Sequence, residues 1–168
     1  MSFLRYLCAV VLSFGLGAVV GHADPERAAP ESWPNKIWLD VYKSPTCGCC
    51  TKWVEHAQAS GFDTAVHHPK DLAQVKDEYA IASDHWACHT AVSEDGYVFE
   101  GHIPARYIRE FFASPPKGAV GLAVPGMPVG SPGMETENKF SPYQVLLLKA
   151  NGESEVFAEV KSAQEQYR

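Results

Sequence analysis

The chain carries no run of lysine or arginine. Its 14 basic residues are scattered among 20 acidic ones, for a formal charge of -6. A phosphate backbone is held by a concentrated basic face, so nucleic acid is excluded as a partner. A membrane span of roughly 20 apolar residues is also missing. The apolar run Leu7 to Val20 is shorter and is broken by Ser and Gly. The glycine-rich stretches "GLAVPG" and "GMPVGSPG" lack the lysine and the strand-to-helix setting of a phosphate loop. No serine–histidine–acid set, paired-carboxylate signal or internal repeat stands out. Cysteine is sparse as well, with five in 168 residues, yet three of them fall in the four positions of "CGCC".

The N-terminus reads as an export segment. Arg5 supplies a basic start, the apolar run follows, and Gly21 and Ala23 are the small residues that a signal peptidase requires. The reading is a signal peptide over 1–23, cleaved after Ala23, rather than a retained anchor. No stable membrane association follows after cleavage. Cys8 has no lipobox-like context. Residues 24–35 are polar and proline-rich, a flexible lead-in to a single domain over 36–160, and 161–168 form a polar tail expected to fray. With 46% hydrophobic and 20% charged residues, the domain can build an ordinary core.

Periodicity gives the element order. "KIWLDVYKS" alternates as a strand, with Ile37, Leu39 and Val41 on one side. "CTKWVEHAQASGF" places Cys50, Trp53, Val54 and Ala57 at helical spacing and stops at Gly61. "FDTAVHH" is a second strand. Pro69 is expected to open an amphipathic helix with Leu72, Val75 and Tyr79 inward. Residues 90–93 and 97–100 form a hairpin, and "IPARYIREFFAS" a helix with Pro104 in its first turn. Ser114 to Pro142 reads as one long Pro/Gly-rich loop, too long to be idle. A second hairpin turns at Asn151-Gly152. The expected class is α/β and thioredoxin-like: a central mixed sheet with flanking helices, plus the loop and an additional hairpin. Either hairpin could complete the core sheet.

Cleavage leaves four cysteines, Cys47, Cys49, Cys50 and Cys88, in an oxidising compartment. Cys47 and Cys50 form a C-x-x-C at a helix N-terminus, where the dipole and free N–H groups favour thiolate, the chemistry of a disulfide oxidoreductase. Cys49 complicates that chemistry by adding a third thiol inside the motif. Two structural disulfides are a poor fit too, because a bond between the neighbours Cys49 and Cys50 strains the backbone. Clustered thiolates suit copper(I), which accepts two or three sulfurs and lets one sulfur bridge two ions; zinc prefers its ligands as separated pairs. Several copper(I) ions would also neutralise four thiolates, where one zinc would not, lowering the cost of burying the site.

Cys88 precedes a strand whose leading loop, in a thioredoxin-like chain, faces the first helix's N-terminus. It is therefore read as the distal fourth ligand rather than a buried structural thiol. His85, His89 and His102 flank it or the hairpin that follows it. His89 is the best candidate for an auxiliary ligand or supporting hydrogen-bond donor, against the plainer reading of a histidine that is exposed or simply hydrogen-bonded. His56, His67 and His68 are expected to face solvent. Met127 and Met134 are equally readable as soft ligands and as packing residues, in a loop that would cover the site.

Three stretches, "VYKSPTCGCCTKWVEHAQASGFDTAVH", "CHTAV…GYVFEGHIPA" and "GLAVPGMPVGSPGME", resemble the CopG-like family: small exported proteins with a thioredoxin-like fold associated with bacterial copper resistance. The resemblance spans about residues 37 to 160. It implies a periplasmic copper-binding protein with Cys47, Cys49, Cys50 and Cys88 as metal ligands, and other periplasmic copper-handling proteins as partners. The clustered thiols point to binding of copper(I), more than one ion, and together with the resemblance they imply a role in copper tolerance. The alternative is a thiol-disulfide oxidoreductase of exported proteins; a third option is a cluster that cycles copper between oxidation states.

Overall fold

The computed structural model describes residues 36–137 and 139–167. The expected export segment, and all the lead-in before the domain, lie outside them. The first strand, β1, is Trp38–Lys43, and its alternation buries Leu39 and Val41 while Trp38 stays exposed. Helix α1, Gly48–Ala59, follows a turn and buries Cys50, Trp53, Val54 and Ala57, the four residues that the spacing picked out. The backbone then turns through Gly61, at φ +90°, a conformation that glycine tolerates best. Strand β2, Asp63–His67, runs parallel to β1.

Helix α2 is Leu72–Glu78, shorter than the pattern suggested. Its start is set by Asp71, whose carboxylate accepts the N–H groups of Ala73 and Gln74 at 2.9 and 3.4 Å, and not by Pro69. A capping carboxylate satisfies donors that a proline cannot. Strands β3, His89–Ser93, and β4, Val98–Glu100, form the first hairpin, and helix α3, Ala105–Ala113, follows Pro104. The N–H of Ala105 at the head of α3 is accepted by His56 Nε2 at 3.0 Å, so His56 caps a neighbouring helix instead of facing solvent.

The supposed long loop contains a strand. Strand β5, Ala119–Ala123, pairs parallel to β4 and antiparallel to β6, Tyr143–Lys149, which in turn pairs with β7, Ser154–Val160. The result is one mixed sheet of seven strands in the order β2-β1-β3-β4-β5-β6-β7, so both hairpins belong to the same sheet. The sheet has two covered faces. Leu39, Val41, Ala91, Phe99, Leu122 and Leu147 pack with α1 and α3, while Val92, Val98, Ala123 and Leu148 pack with Ile81, Tyr79 and Trp86. Successive residues of one strand serve opposite faces, as the period of two requires.

Residues 163–167 of the expected tail are ordered against the domain. Ala163–Tyr167 form a 3-10 turn in which Gln166 is 1% exposed, donates to the Gly130 carbonyl at 2.9 Å and accepts from Tyr143 Oη at 2.5 Å. Among the described residues no helix is long and apolar enough to cross a membrane.

Gly121 explains why β5 is hard to read. A Cβ there would lie 1.8 Å from the carbonyl oxygen of Val98 on β4. The glycine that looks like a loop residue is what lets the two strands meet. Gly121→Val should therefore cost about 3 kcal/mol or more, seen as a lowered urea midpoint. An unchanged midpoint would contradict the β4–β5 register.

Candidate metal centre

The turn between β1 and α1 presents its three cysteines at the helix N-terminus. Cys47 is the N-cap, and its sulfur accepts the Cys50 N–H at 3.4 Å. Cys47 and Cys50 are joined as a disulfide, with Cα atoms 5.4 Å apart, and Cys49 and Cys88 are free thiols. The two-disulfide arrangement is thus not the one observed. Cys49 Sγ lies 3.5 Å from Cys47 Sγ, and Cys50 Sγ lies 3.5 Å from the Cys88 carbonyl oxygen. All four sulfurs fall within 4.8 Å of one another. Cys50 is fully buried and the other three are partly exposed.

The sheet delivers Cys88 to this place. β1 and β3 pair antiparallel, with Lys43 opposite His89, so the end of β1 and the start of β3 share one edge. A buried carboxylate then fixes the segment ahead of β3. Glu100 is 0% exposed, accepts the Ala87 N–H at 2.6 Å and the Thr90 hydroxyl at 2.6 Å, and is ion-paired with buried Lys76. Gly101 permits the approach: a Cβ there would meet Ala87 Cβ at 2.6 Å. Burial, reinforced by the neighbouring Cys49, pushes the Cys88 thiol up to about 12.

The histidines divide sharply. His102 Nε2 is 2.9 Å from Cys88 Sγ, and His102 Nδ1 is 2.8 Å from the Pro132 carbonyl. A carbonyl only accepts, so Nδ1 carries the proton and Nε2 turns its lone pair toward the thiol. His89 is fully buried, its Nδ1 lies 3.5 Å from Cys88 Sγ, and its ring sits 4.4 Å from that of Trp53. Its Nε2 has no hydrogen-bond partner among the described residues. Desolvation holds both imidazoles neutral: His102 is lowered, and His89 well below the usual range, with His102, Lys76 and Lys43 adding to the effect there. Of the plainer reading, exposure does not hold for His89, and its hydrogen bonding is confined to the Nδ1 contact with Cys88 Sγ. His85 instead contacts Ser154 Oγ at 3.0 Å, and His67 and His68 are exposed.

Sequence reasoning noticed His102 but gave it no particular place. The signal was the hairpin register: Thr90 pairs with Glu100 and Ala91 with Phe99, so two further steps set Cys88 across from His102. The Pro/Gly segment does reach the cluster, through Pro132 on His102 and through Gly133. A Cβ on Gly133 would lie 2.6 Å from the Cys49 carbonyl and 2.9 Å from the Trp53 nitrogen. Met127 is 53% exposed and Met134 is partly buried.

Chemically, the arrangement offers soft sulfur donors and neutral imidazoles behind a partly open helix N-terminus. Thiolates and imidazoles together select copper or zinc over hard cations. Iodoacetamide at pH 8 is expected to label Cys49 well before Cys88, whose proton is held by burial, and to label Cys47 and Cys50 only after reduction. Peptide mapping checks this; rapid labelling of Cys47 or Cys50 without reductant would contradict the pairing.

Residues 85–134 match a family described as a protein of unknown function, DUF411. Two solved structures, described as copper resistance protein CopG in its form 2 and form 1, align at 39% and 38% identity. They cover 75% and 76% of this chain and 99% and 100% of their own, each with a TM-score of 0.71. No curated protein matches.

Proposed function

This chain belongs to the CopG-like family of copper-resistance proteins, and we propose that it is an exported, periplasmic copper(I)-binding protein for copper tolerance. Cys47, Cys49, Cys50 and Cys88 are its ligands. The observation that carries this reading is the convergence of four sulfurs within 4.8 Å from two distant chain segments. Copper in this role is cargo. The four thiolates hold more than one copper(I) ion, because several monovalent charges are needed to offset theirs at a partly buried site.

The export reading supports the same picture: a signal peptide over 1–23, removed after Ala23, ahead of a lead-in and one domain over 36–160. We read β1 to β4 with α1 to α3 as a thioredoxin-like unit. The supporting features are the element order and the strand order β2-β1-β3-β4, with β1 and β2 parallel and the others antiparallel. The remaining strands extend that unit and carry the loop against α1. Other periplasmic copper-handling proteins are the natural donors or acceptors.

The Cys47–Cys50 disulfide gives the cluster a redox dependence. Opening it consumes two electrons and two protons and yields two thiols, so full copper loading requires the reduced protein. The same disulfide supports the second reading, a thiol-disulfide oxidoreductase. Against it stands Cys49, 3.5 Å from Cys47 and able to form competing pairs.

Anaerobic titration of the reduced protein with copper(I), followed by sulfur-to-copper absorption and elemental analysis, should show more than one ion per chain. Binding should vanish when all four cysteines become Ser; its survival would sink the assignment. Each copper that takes the Cys88 sulfur displaces a proton held up to about 12, so apparent affinity should strengthen with pH, by about tenfold per unit for each proton released. The oxidoreductase reading instead expects disulfide turnover that persists in Cys49→Ser and is lost in Cys47→Ser.

A further inference from the structure

A cavity of about 210 Å³ lies between the last turn of α1, the helix α3 and the 3-10 turn Ala163–Tyr167. It shares no residue with the sulfur cluster, and two arginines of α3, Arg106 and Arg109, line it together with His56 of α1. We propose that this cavity binds a small oxyanion with at least two negative charges, a dicarboxylate or phosphate, between the two guanidinium groups, with the His56 imidazole as a third donor. The proposal does not rest on copper binding.

Three observations carry it. First, the two positive charges lack a counter-charge. The chain has a formal charge of -6, yet every ion pair among the described residues uses a lysine or a histidine, and neither arginine has a carboxylate within 4.0 Å. The carboxylates of this neighbourhood are engaged elsewhere or exposed. Glu135 accepts the Gly133 N–H and the Tyr167 hydroxyl, each at 2.8 Å, and Glu165 accepts the Lys161 N–H at 2.8 Å. Glu110, one turn along from Arg106, is exposed.

Second, both guanidinium groups are held in place before any ligand arrives. Arg106 donates one Nη1–H to the Glu165 carbonyl at 2.8 Å, and Arg109 donates one to the Ser60 carbonyl. Each also lies over an aromatic ring, Arg106 at 4.7 Å from the centre of Tyr107 and Arg109 at 5.9 Å from that of Phe62. A spacing of three residues sets the two side chains on the same side of the helix. A guanidinium has five N–H donors, so each keeps its Nε and Nη2 edge for a planar or tetrahedral oxyanion. Side chains fixed in advance lose little further entropy on binding.

Third, His56 turns a donor to the same place. Its Nε2 accepts the Ala105 N–H at 3.0 Å, so in the neutral ring Nδ1 carries the proton, and Nδ1 has no hydrogen-bond partner among the described residues. Burial favours that neutral ring, with Glu135 opposing and Arg109 reinforcing the effect. Ala59 and the Tyr167 ring add apolar wall, next to which charge interactions are stronger than in open water. A purely structural role, tying α3 to α1 and to the 3-10 turn, accounts for one Nη1–H of each arginine. It leaves unexplained why both remaining edges border one cavity without a carboxylate.

The test is calorimetric titration of the metal-free mature chain, its disulfide intact, with inorganic phosphate and separately with malonate. Sodium chloride holds the ionic strength constant. One anion should bind per chain, the two should compete, and the tighter one identifies the chemistry that the site prefers. Arg106→Lys and Arg109→Lys keep the charge but lose the planar fork, and each should weaken binding by about tenfold or more. For independence from folding defects, 15N NMR of the wild type should show the Nε–H signals of Arg106 and Arg109 shifting as the anion saturates. Heats no greater than those of chloride with both Nε–H signals unmoved, or binding undiminished in both lysine variants, would overturn the site. Copper(I) uptake by the wild type is read separately, so either result leaves the proposed function to its own test.

Discussion

The antiparallel pairing of β1 with β3 is the constraint on which the site is built. Cys47, Cys49 and Cys50 follow β1, and Cys88 precedes β3. Only an antiparallel register with Lys43 opposite His89 brings those two ends to one edge of the sheet. A slip of one residue would turn every β3 side chain to the opposite face. It would carry His89 away from Trp53 and Cys88 away from the helix. The register is held in turn by burial on both faces, where Ala91 and Val92 enter different packed layers.

Placing the cysteine segment takes more than a strand pairing. The end of β4 does it with three consecutive residues. Glu100 holds the Ala87 N–H, Gly101 lets the two segments close up, and His102 faces the Cys88 sulfur. The Glu100 carboxylate and Lys76 ammonium are 0% and 4% exposed. A buried ion pair is a weak source of net stability, but losing one partner costs about 3–5 kcal/mol, since the other is left charged and unpaired. Such a pair tolerates few alternatives, which suits a job of fixing one loop position. On the other side, Gly133 presses the Pro/Gly segment against the first turn of α1. The cluster is therefore clamped between two segments that carry no cysteine of their own.

Much of this was legible in the residues. The buried face of α1 follows from 3.6-residue spacing, the two hairpins from their turn chemistry, and the convergence of Cys88 on the "CGCC" turn from element order. The misses have physical causes. Strand β5 hides behind Gly121, which is required for close approach rather than for a turn. The start of α2 was given to Pro69, where a capping Asp71 decides it. His56 looked like a solvent residue because spacing along α1 cannot reveal that another helix's N-terminus needs an acceptor. Lys76 and Glu100 have no local signature, since their pairing is purely tertiary. His102 was the recoverable miss, because counting outward along the hairpin sets it across from Cys88.

The central claim is that sulfur from both chain segments binds the same metal. X-ray absorption at the copper edge of the reduced, copper(I)-loaded protein tests it most directly. A sulfur-dominated shell that loses sulfur when Cys88 becomes Ser is the expected result. A shell of nitrogen and oxygen, or a sulfur shell indifferent to Cys88→Ser, would contradict it.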